Sequence, residues 1–229
     1  MLNFETDRSV LAELVPPGTE LDEWEGRTCL SVVGFLFLDT RLLGLPIPFH
    51  RDFEEVNLRF YVRRRADGGW RRGVVFVREI VPRAAVAFVA RALYGERYLA
   101  LPMDHVLTLA ADKPPRIASA SYGWTLRGRP HRLSVWVDGR PAPPAPGSHE
   151  QFIAEHHWGY CARRDGATTE YRVDHPPWGL VAASRAELDG DLAALYGERL
   201  AEPLRGRPVS AFLADGSEVT VSLGSRLEA

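Results

Sequence analysis

Lysine is almost absent from this chain of 229 residues: Lys113 is the only lysine among 28 basic residues, and the rest are arginines. The arginines are interleaved with acids, as in Arg78-Glu79 and Glu96-Arg97, and the formal net charge is -2. Proteins that bind nucleic acid carry a basic stripe or patch. No such stripe emerges here, so the sequence argues against a nucleic-acid partner.

Cysteines and long apolar runs are scarce as well. Cys29 and Cys161 lie far apart and in no paired motif, so the sequence permits one disulfide without demanding it. The longest apolar run, residues 30–38, is too short to span a bilayer. The first residues form neither the basic nor the apolar region of a signal peptide. These absences predict a cytoplasmic protein without a membrane partner, and they leave a homo-oligomer open.

The common catalytic and cofactor motifs are missing. The sequence contains no phosphate-binding glycine loop, no G-x-S-x-G elbow and no H-E-x-x-H pair, and we expect no cofactor. The nearest group to a metal site is Glu155-His156-His157 followed by Asp174-His175. Adjacent histidines on a strand point to opposite faces, so this pair cannot readily share one ion. The sequence therefore predicts no metal site, and it does not say which reaction, if any, the protein performs.

Short strands dominate what is present. The clearest signal is a β-hairpin, in which residues 55–65 alternate between apolar and polar types, Ala66–Gly69 supplies a turn and residues 70–81 form the second strand. Further strands are predicted near residues 27–38, 97–112, 117–127, 131–138, 158–164, 168–174 and 179–184, with a final pair near 207–213 and 217–223, and helices near 7–14, 84–94, 149–156 and 186–199. This order predicts a mainly β, α+β barrel or sandwich with a few helices, not a parallel βαβ fold.

One row of side chains on the hairpin could carry chemistry. Glu55, Asn57, Arg59 and Tyr61 share one face of their strand because the side-chain period is two. In one interpretation this row faces solvent while its apolar neighbours face the core. In the other, the row lines an internal cavity. Residues four apart on a strand lie about 13 Å apart, so pairing of Glu55 with Arg59 would need curled side chains or a ligand between them.

Four segments point to a known family: Phe53–Val62, Gly73–Pro82, His175–Trp178 and Pro208–Ser217. They resemble the bacterial YqjF-like family of domains of unknown function, in the acetoacetate decarboxylase-like superfamily. The resemblance covers essentially the whole chain. It implies a single domain over residues 1–229, built as a cone-shaped β-barrel with a central pocket and a few peripheral helices. The proline-rich run at 141–147 is the only plausible internal linker.

The resemblance also implies which residues line the pocket. Glu55 falls where the decarboxylases have a pocket glutamate, and Glu5 falls where they have a pocket arginine. Tyr98 falls at the position of the lysine that forms a Schiff base with the substrate ketone. A phenol cannot form an imine, and Lys113 lies beside Pro114 in a predicted loop. The residues therefore contradict decarboxylase activity while the resemblance supports the fold.

We therefore expect a small-molecule pocket on this barrel. Its predicted lining is Glu5, Glu55, Asn57, Arg59, Tyr61 and Tyr98. The expected ligand is a carbonyl or carboxylate compound, which an enzyme of this kind would handle by carboxylate and phenol acid–base chemistry. The alternative is a non-catalytic small-ligand-binding protein on the same barrel. Because a buried unpaired arginine is costly, Arg59 is predicted to meet Glu55, Glu5 or another carboxylate.

Overall fold

The structure is a computed structural model that describes residues 1–42, 45–46, 51–66 and 68–227. It is mainly β. The strands are β1 (Leu2–Thr6), β2 (Glu20–Leu21), β3 (Thr28–Phe37), β4 (Arg41–Leu42), β5 (Leu45–Pro46), β6 (Phe53–Ala66), β7 (Gly69–Val81), β8 (Tyr98–Ala100), β9 (Met103–Leu109), β10 (Ile117–Leu126), β11 (Arg129–Trp136), β12 (Trp158–Ala162), β13 (Thr168–Asp174), β14 (Leu180–Ala182), β15 (Arg185–Asp189), β16 (Ser210–Ala214), β17 (Thr220–Val221) and β18 (Ser225–Leu227). The helices are α1 (Arg8–Ala12), α2 (Ala84–Tyr94), α3 (His149–Ala154), α4 (Leu192–Tyr196) and α5 (Glu198–Leu204).

Twelve strands form one large sheet. Its order is β14-β16-β1-β3-β6-β7-β12-β13-β17, with β2, β8 and β18 paired to β6, β7 and β13. Strand β7 runs parallel to β8 and to β12, whereas the other described pairs of this sheet are antiparallel. Within the described ranges, the two ends of this order do not pair with each other. The mainly β architecture is confirmed, but the closed barrel is not.

The second sheet has the order β15-β11-β10-β9 and packs against the large one. The main apolar cluster combines Val56, Leu58 and Phe60 of β6 with Tyr122 and Leu133 of the small sheet. Strands pack their apolar faces against one another because burial of that surface drives folding.

The opposite side of the large sheet packs on helix α3. Tyr61 of β6 meets Phe152 and Ile153 there, in a second apolar cluster. We call this side the α3 face, defined by the β6 residues Glu55, Asn57, Arg59 and Tyr61. Strand β6 is therefore covered on both sides, unlike a surface strand with one solvated face.

The elements with strong local signals are confirmed. Strands β6 and β7 form the expected hairpin, with an antiparallel register that begins at Ala66 opposite Gly69. Helix α1 follows Asp7, whose carboxylate accepts a hydrogen bond from the Ser9 backbone N–H at 2.7 Å. That bond satisfies one of the free N–H groups of the first helical turn. Helix α2 has the predicted bounds.

Two predictions near the C-terminus are wrong. The helix expected near 186–199 begins only at Leu192, because Arg185–Asp189 forms β15 and pairs with β11. Exposure along β15 alternates with period two, which is typical of a half-buried strand. Strands form within both segments of the expected final pair, but in the described part of the chain they do not pair with each other, because β16 pairs with β1 and β14 whereas β17 pairs with β13.

A β-bulge interrupts the hairpin in the middle of β7. Arg59 lies opposite Phe76 and Leu58 lies opposite Arg78, so Val77 is an extra residue on β7. A bulge changes which face the following side chains occupy. Beyond it, Glu79 lies opposite Asn57 and therefore shares the α3 face.

No helix among the described residues is long and apolar enough to cross a membrane.

Candidate functional site

The polar row of β6 is buried at three of its four positions. Glu55 and Asn57 are each 2% exposed, Tyr61 is 1% exposed, and Arg59 is partly buried. The interpretation in which this row simply faces solvent is therefore wrong. The apolar neighbours Leu58 and Phe60 are also buried, so the strand separates an apolar layer from a polar one.

Glu55 forms a hydrogen bond with Tyr98, the tyrosine predicted to line the pocket. Its carboxylate accepts a hydrogen bond from the Tyr98 hydroxyl at 3.0 Å and another from the Asn57 amide at 3.1 Å. The backbone explains the first contact, because β8 runs beside β7 with Tyr98 opposite Glu79, and Glu79 lies opposite Asn57. Three adjacent strands thus place these side chains together on the α3 face.

Two further buried glutamates join Glu55, and sequence reasoning missed both. Glu79 is 2% exposed and Glu96 is 3% exposed. Strict alternation along 70–81 would place Glu79 on the opposite face. The extra residue at Val77 shifts the alternation by one position and turns Glu79 to the α3 face. Glu96 precedes β8 and accepts a hydrogen bond from the Tyr171 hydroxyl at 2.7 Å. No sequence signal linked Tyr171, on β13, to this group.

A glycine on the neighbouring strand makes room for Tyr171. Gly159 of β12 lies opposite Tyr171 of β13, and a Cβ atom added there would stand 2.1 Å from the tyrosine ring. Carbon atoms in contact normally stay about 3.5–4.0 Å apart. Glycine is therefore required at this position, because the ring crosses the strand on its way to Glu96.

Burial raises the pKa of every acid in this group. It raises the pKa of Glu55 to about 7 and that of Glu96 to about 8. Burial, together with the charges of Glu96 and Glu55, holds the pKa of Glu79 well above its ordinary value. Burial likewise raises the pKa of Tyr98 far above the usual value of a phenol. At neutral pH Glu79, Glu96 and Tyr98 are therefore mainly protonated, whereas Glu55 is near its titration midpoint and about half ionised.

Arg59 does not meet Glu55, contrary to the prediction of an ion pair. Its guanidinium donates to the Ile153 carbonyl at 3.3 Å, approaches the Met1 sulfur at 3.8 Å and lies 5.7 Å from the centre of the Tyr61 ring. No carboxylate in the part of the chain that the structure describes forms an ion pair with it. Four residues of extended strand separate the two side chains, which is too far for direct contact.

Glu5 also lies apart from Glu55. It occupies β1 opposite Cys29, its side chain is 49% exposed, and its carboxylate lies 3.7 Å from Arg27. The structure therefore does not bring Glu5 together with Glu55 and Tyr98. The side chain reaches solvent because it lies near the end of β1.

The lysine and histidine candidates are placed elsewhere. Lys113 is exposed in the loop between β9 and β10, on the small sheet. His156 is buried and bonded to Asp22, whereas His157 packs its ring against His175 at 4.8 Å. The two adjacent histidines thus have separate environments. Among the described residues, no group of three or more His, Cys, Asp or Glu side chains could hold a metal ion.

A surface groove of about 640 Å³ lies elsewhere on the molecule. The loop at 142–145, the segment 182–186 and the segment 207–212 contribute to its walls. None of the predicted pocket residues lines it. The groove and the buried acidic cluster are therefore separate features.

The chain matches a known protein family over most of its length. The model of the DUF2071 family, described as an uncharacterized conserved protein, matches residues 1–218. The uncharacterized protein YqjF of Bacillus subtilis (strain 168) is 38% identical over 68 residues. That match covers 29% of this chain and 28% of YqjF, so the chain spans little more than a quarter of the relative's length. The predicted family resemblance is confirmed.

Solved structures share the fold over nearly the entire chain. Acetoacetate decarboxylase from Legionella pneumophila subsp. pneumophila str. Philadelphia 1 superposes with a TM-score of 0.59 at 14% identity, covering 99% of this chain and 83% of that one. An acetoacetate decarboxylase-like enzyme from Sphingomonas wittichii RW1 gives 0.61 at 15% identity, covering 99% and 89%. The enduracididine biosynthesis enzyme MppR complexed with pyruvate gives 0.58 at 14% identity, covering 98% and 81%. At such identities the likeness shows the fold alone.

Proposed function

This chain belongs to the DUF2071 family, and on that premise we propose that its α3 face forms a small-molecule pocket for a carbonyl or carboxylate compound. Glu55, Asn57, Arg59 and Tyr98 are its central residues, and Tyr61 packs beside them. Glu79 and Glu96 join the predicted set, and Glu5 leaves it. The solved neighbour MppR is complexed with pyruvate and lends support by fold analogy.

The observation that carries this proposal is a row of buried polar atoms without partners. Asn57 Oδ1, Arg59 Nε, Glu79 Oε2 and Glu96 Oε2 are buried and form no hydrogen bond with any described residue. Folded proteins pair more than nine-tenths of such groups. Leaving one unpaired costs about 1–3 kcal/mol. Several on one face are explained by a ligand that completes their bonds.

The chemistry of the site suits a carbonyl compound. General acid–base catalysis works best when the pKa of the group lies near the working pH, and that of Glu55 is about 7. Tyr98 remains a neutral phenol, and its hydroxyl would have to turn away from Glu55 to donate a hydrogen bond to a carbonyl oxygen. Arg59 presents a planar fork that matches a carboxylate. A ligand held between these ends would span the distance that keeps Glu55 and Arg59 apart.

The proposed site works without a Schiff base. Tyr98 occupies the position that the resemblance assigned to the reactive lysine, and its phenol cannot form an imine. Lys113 is exposed on the other sheet. Incubation with acetoacetate and borohydride should therefore leave no reduced adduct on Lys113 by peptide mass mapping. An adduct there, together with decarboxylation that disappears in Lys113→Arg, would overturn this point.

We extend the proposal to the surrounding fold. Strand β14 stands at one end of the large sheet and β13 stands next to the other end, yet only residues 175–179 connect them. Six steps of 3.8 Å between Cα atoms reach at most about 23 Å, which favours a nearly closed barrel. The loop at 141–147 is also tied to β14, since Ala142 and Leu180 exchange backbone hydrogen bonds of 2.9 and 2.8 Å. Both observations support a single domain.

The second candidate is a binding protein without catalysis, and the buried Cys161 thiol is consistent with it because it offers no nucleophile. This thiol lies near the acidic cluster and bonds to the Gly95 carbonyl at 3.3 Å. Burial raises the pKa of this thiol to about 12, so it is protonated and a poor nucleophile at neutral pH. A protein that retains a small molecule but never converts it would support this candidate.

Native mass spectrometry of the freshly purified protein tests the pocket. We expect a bound small molecule in the wild type, and its loss in Glu55→Gln. The matched control is Glu54→Gln, because Glu54 is the adjacent residue and bonds to His105 instead. Pyruvate and acetoacetate serve as added probes in ligand-observed NMR. The pocket proposal fails if no adduct appears and neither probe binds, or if both variants behave alike.

A further inference from the structure

A second buried polar group lies on the α3 face beyond Arg59. His156 Nε2 lies 3.1 Å from the Asp22 carboxylate, with side chains 1% and 4% exposed. The same carboxylate receives a 2.6 Å hydrogen bond from Arg72. Nothing in the acid–base scheme of Glu55 uses this group.

The strand register explains why Asp22 faces this way. Leu21 of β2 pairs with Val62, and the next residue, Asp22, donates its backbone N–H to the Tyr61 carbonyl at 3.0 Å. Residues opposite each other on antiparallel strands share a face, so Asp22 lies on the side of Tyr61. The His156 ring packs against Tyr61 with centroids 4.7 Å apart. His156 and Arg59 thus contact the same tyrosine.

The hydrogen bond to Asp22 fixes the tautomer of His156. Burial alone would raise the pKa of Asp22, but hydrogen bonds from His156 and Arg72 lower it, so the carboxylate is ionised and only accepts. His156 Nε2 must therefore carry the proton that it donates. Its Nδ1 is then a bare lone pair, and it is buried without a partner among the described residues.

Burial and the surrounding charges keep this histidine neutral. Burial is the main reason that the pKa of His156 falls to about 4, and the charges of Arg72 and Arg59 lower it further. At neutral pH the Nδ1 atom therefore accepts a hydrogen bond and does not donate one. Beside it, the Arg59 guanidinium only donates, and its Nε is also unpartnered.

We propose that Arg59 and His156 together recognise a ligand end in which a carboxylate stands next to a hydroxyl group. The carboxylate accepts from the guanidinium of Arg59, and the hydroxyl donates to Nδ1 of His156. Asp22 positions the imidazole and contacts no ligand. The inference rests on the proposed pocket and names its ligand class, a 2-hydroxycarboxylate. No bond is made or broken in this recognition.

A matched pair of probes tests it. Lactate carries the hydroxyl next to the carboxylate, and propionate lacks only that hydroxyl. We expect lactate to bind about tenfold more tightly than propionate in NMR titrations, the effect of one hydrogen bond to a buried acceptor. With ¹⁵N-labelled histidine, the Nδ1 resonance of His156 should shift on adding lactate and stay in place with propionate.

Variants separate recognition from a purely structural role. His156→Phe should lower the lactate affinity to that of propionate, whereas the control His157→Phe should keep the tenfold preference. Arg59→Met should weaken both probes, and the control Arg63→Met should weaken neither, because Arg63 is half-buried and pairs with Glu20. The wild-type ¹⁵N measurement decides the matter even if His156→Phe fails to fold.

Three results overturn the inference. Equal binding of both probes without a shift at Nδ1 would leave Asp22 and His156 as a structural contact between β2 and the end of α3. Binding of neither probe would reject the ligand class. A free-state spectrum with the proton on Nδ1 would remove the acceptor. The pocket itself would still be judged by the Glu55→Gln experiment, which reads the opposite end of the face.

Discussion

The two ends of the α3 face hold opposite kinds of ionisable group, and neither kind forms an ion pair across the face with a described residue. At one end, none of Glu55, Glu79 and Glu96 forms an ion pair with a described arginine, and burial raises the pKa of all three. At the other end, Arg59 is a guanidinium without a described carboxylate partner. An ion pair between an acid and Arg59 would lower the cost of burying both groups. However, about 13 Å of strand keeps Glu55 and Arg59 apart.

The difference shows how the chain tolerates buried ionisable groups in two ways. The acidic end avoids charge by holding its protons, which is how buried carboxyls usually adapt. Arginine cannot lose its proton in the same way, so Arg59 stays charged and takes a carbonyl and an aromatic ring as neighbours. The α3 face thus has a fixed positive charge at Arg59 and protonated acids at its other end. This arrangement suits a ligand with a carboxylate at one end and a carbonyl at the other.

The largest expected effect tests the packing of the acidic end. Gly159→Ala would place a methyl group within 2.1 Å of the Tyr171 ring and push this tyrosine away from Glu96. We expect a loss of about 3 kcal/mol in the free energy of unfolding, measured by urea denaturation. Gly206→Ala is the control, because its added Cβ meets its nearest neighbour at 3.4 Å. Equal stability of both variants would contradict this packing.

The pH dependence of stability tests the raised pKa values. Glu55 rises from 4.5 to about 7 on folding, so its stabilising contribution is full below pH 4.5 and is lost as the pH climbs through 7. At pH 8 that penalty is on the order of 3 kcal/mol. Glu55→Gln should therefore unfold at a higher temperature than the wild type at pH 8, and not at pH 5. Parallel curves for the two proteins would show that Glu55 titrates normally.

A smaller effect is expected at the cationic end. Asp22→Asn removes the charge that Arg72 and His156 share, and should lower the free energy of unfolding by about 2 kcal/mol at neutral pH. Arg72 is 37% exposed, so water compensates part of the loss. Glu23→Gln is the control: its ion pair with Arg8 is on the surface and should be worth less than about 1 kcal/mol. Similar losses in both would argue against a special role for Asp22.

The smallest effect concerns one hydrogen bond. Tyr98→Phe removes the hydroxyl that donates to Glu55 at 3.0 Å, at a cost of about 1 kcal/mol. Because that bond lowers the pKa of Glu55, its loss should raise this pKa further. Carboxyl ¹³C shifts followed over a pH titration measure the change. Tyr122→Phe, on the other sheet, should leave the Glu55 titration unchanged.

Local patterns in the sequence were enough for much of the fold. The alternation of β6, the glycine turn and the Asp7 cap each depend on neighbouring residues, and these elements formed as expected. The region around β15 failed because a short half-buried strand and the start of a helix look alike over five residues. The pairing of β16 and β17 with distant strands depends on long-range contacts that no local pattern contains.

Only part of the candidate site could be predicted from the sequence, for a similar reason. Period two placed Glu55 and Asn57 on one face, and the family resemblance brought Tyr98 to them. Glu96 and Tyr171 are 75 residues apart in sequence, so no local signal connects them. Arg59 was expected to find a carboxylate on general grounds of charge, but strand geometry and a nearby carbonyl decided otherwise.

The extra residue at Val77 has a consequence for comparing this chain with its relatives. If the same sequence paired without the bulge, Arg78 would stand opposite Asn57, and an arginine would replace Glu79 on the α3 face. A one-residue gap placed wrongly in an alignment makes the same exchange on paper. At 13–15% identity to the solved neighbours, such gaps are hard to place. The counterpart of Glu79 in another member of the fold therefore has to be assigned from the backbone hydrogen bonds between the strands, because a sequence alignment alone is not enough.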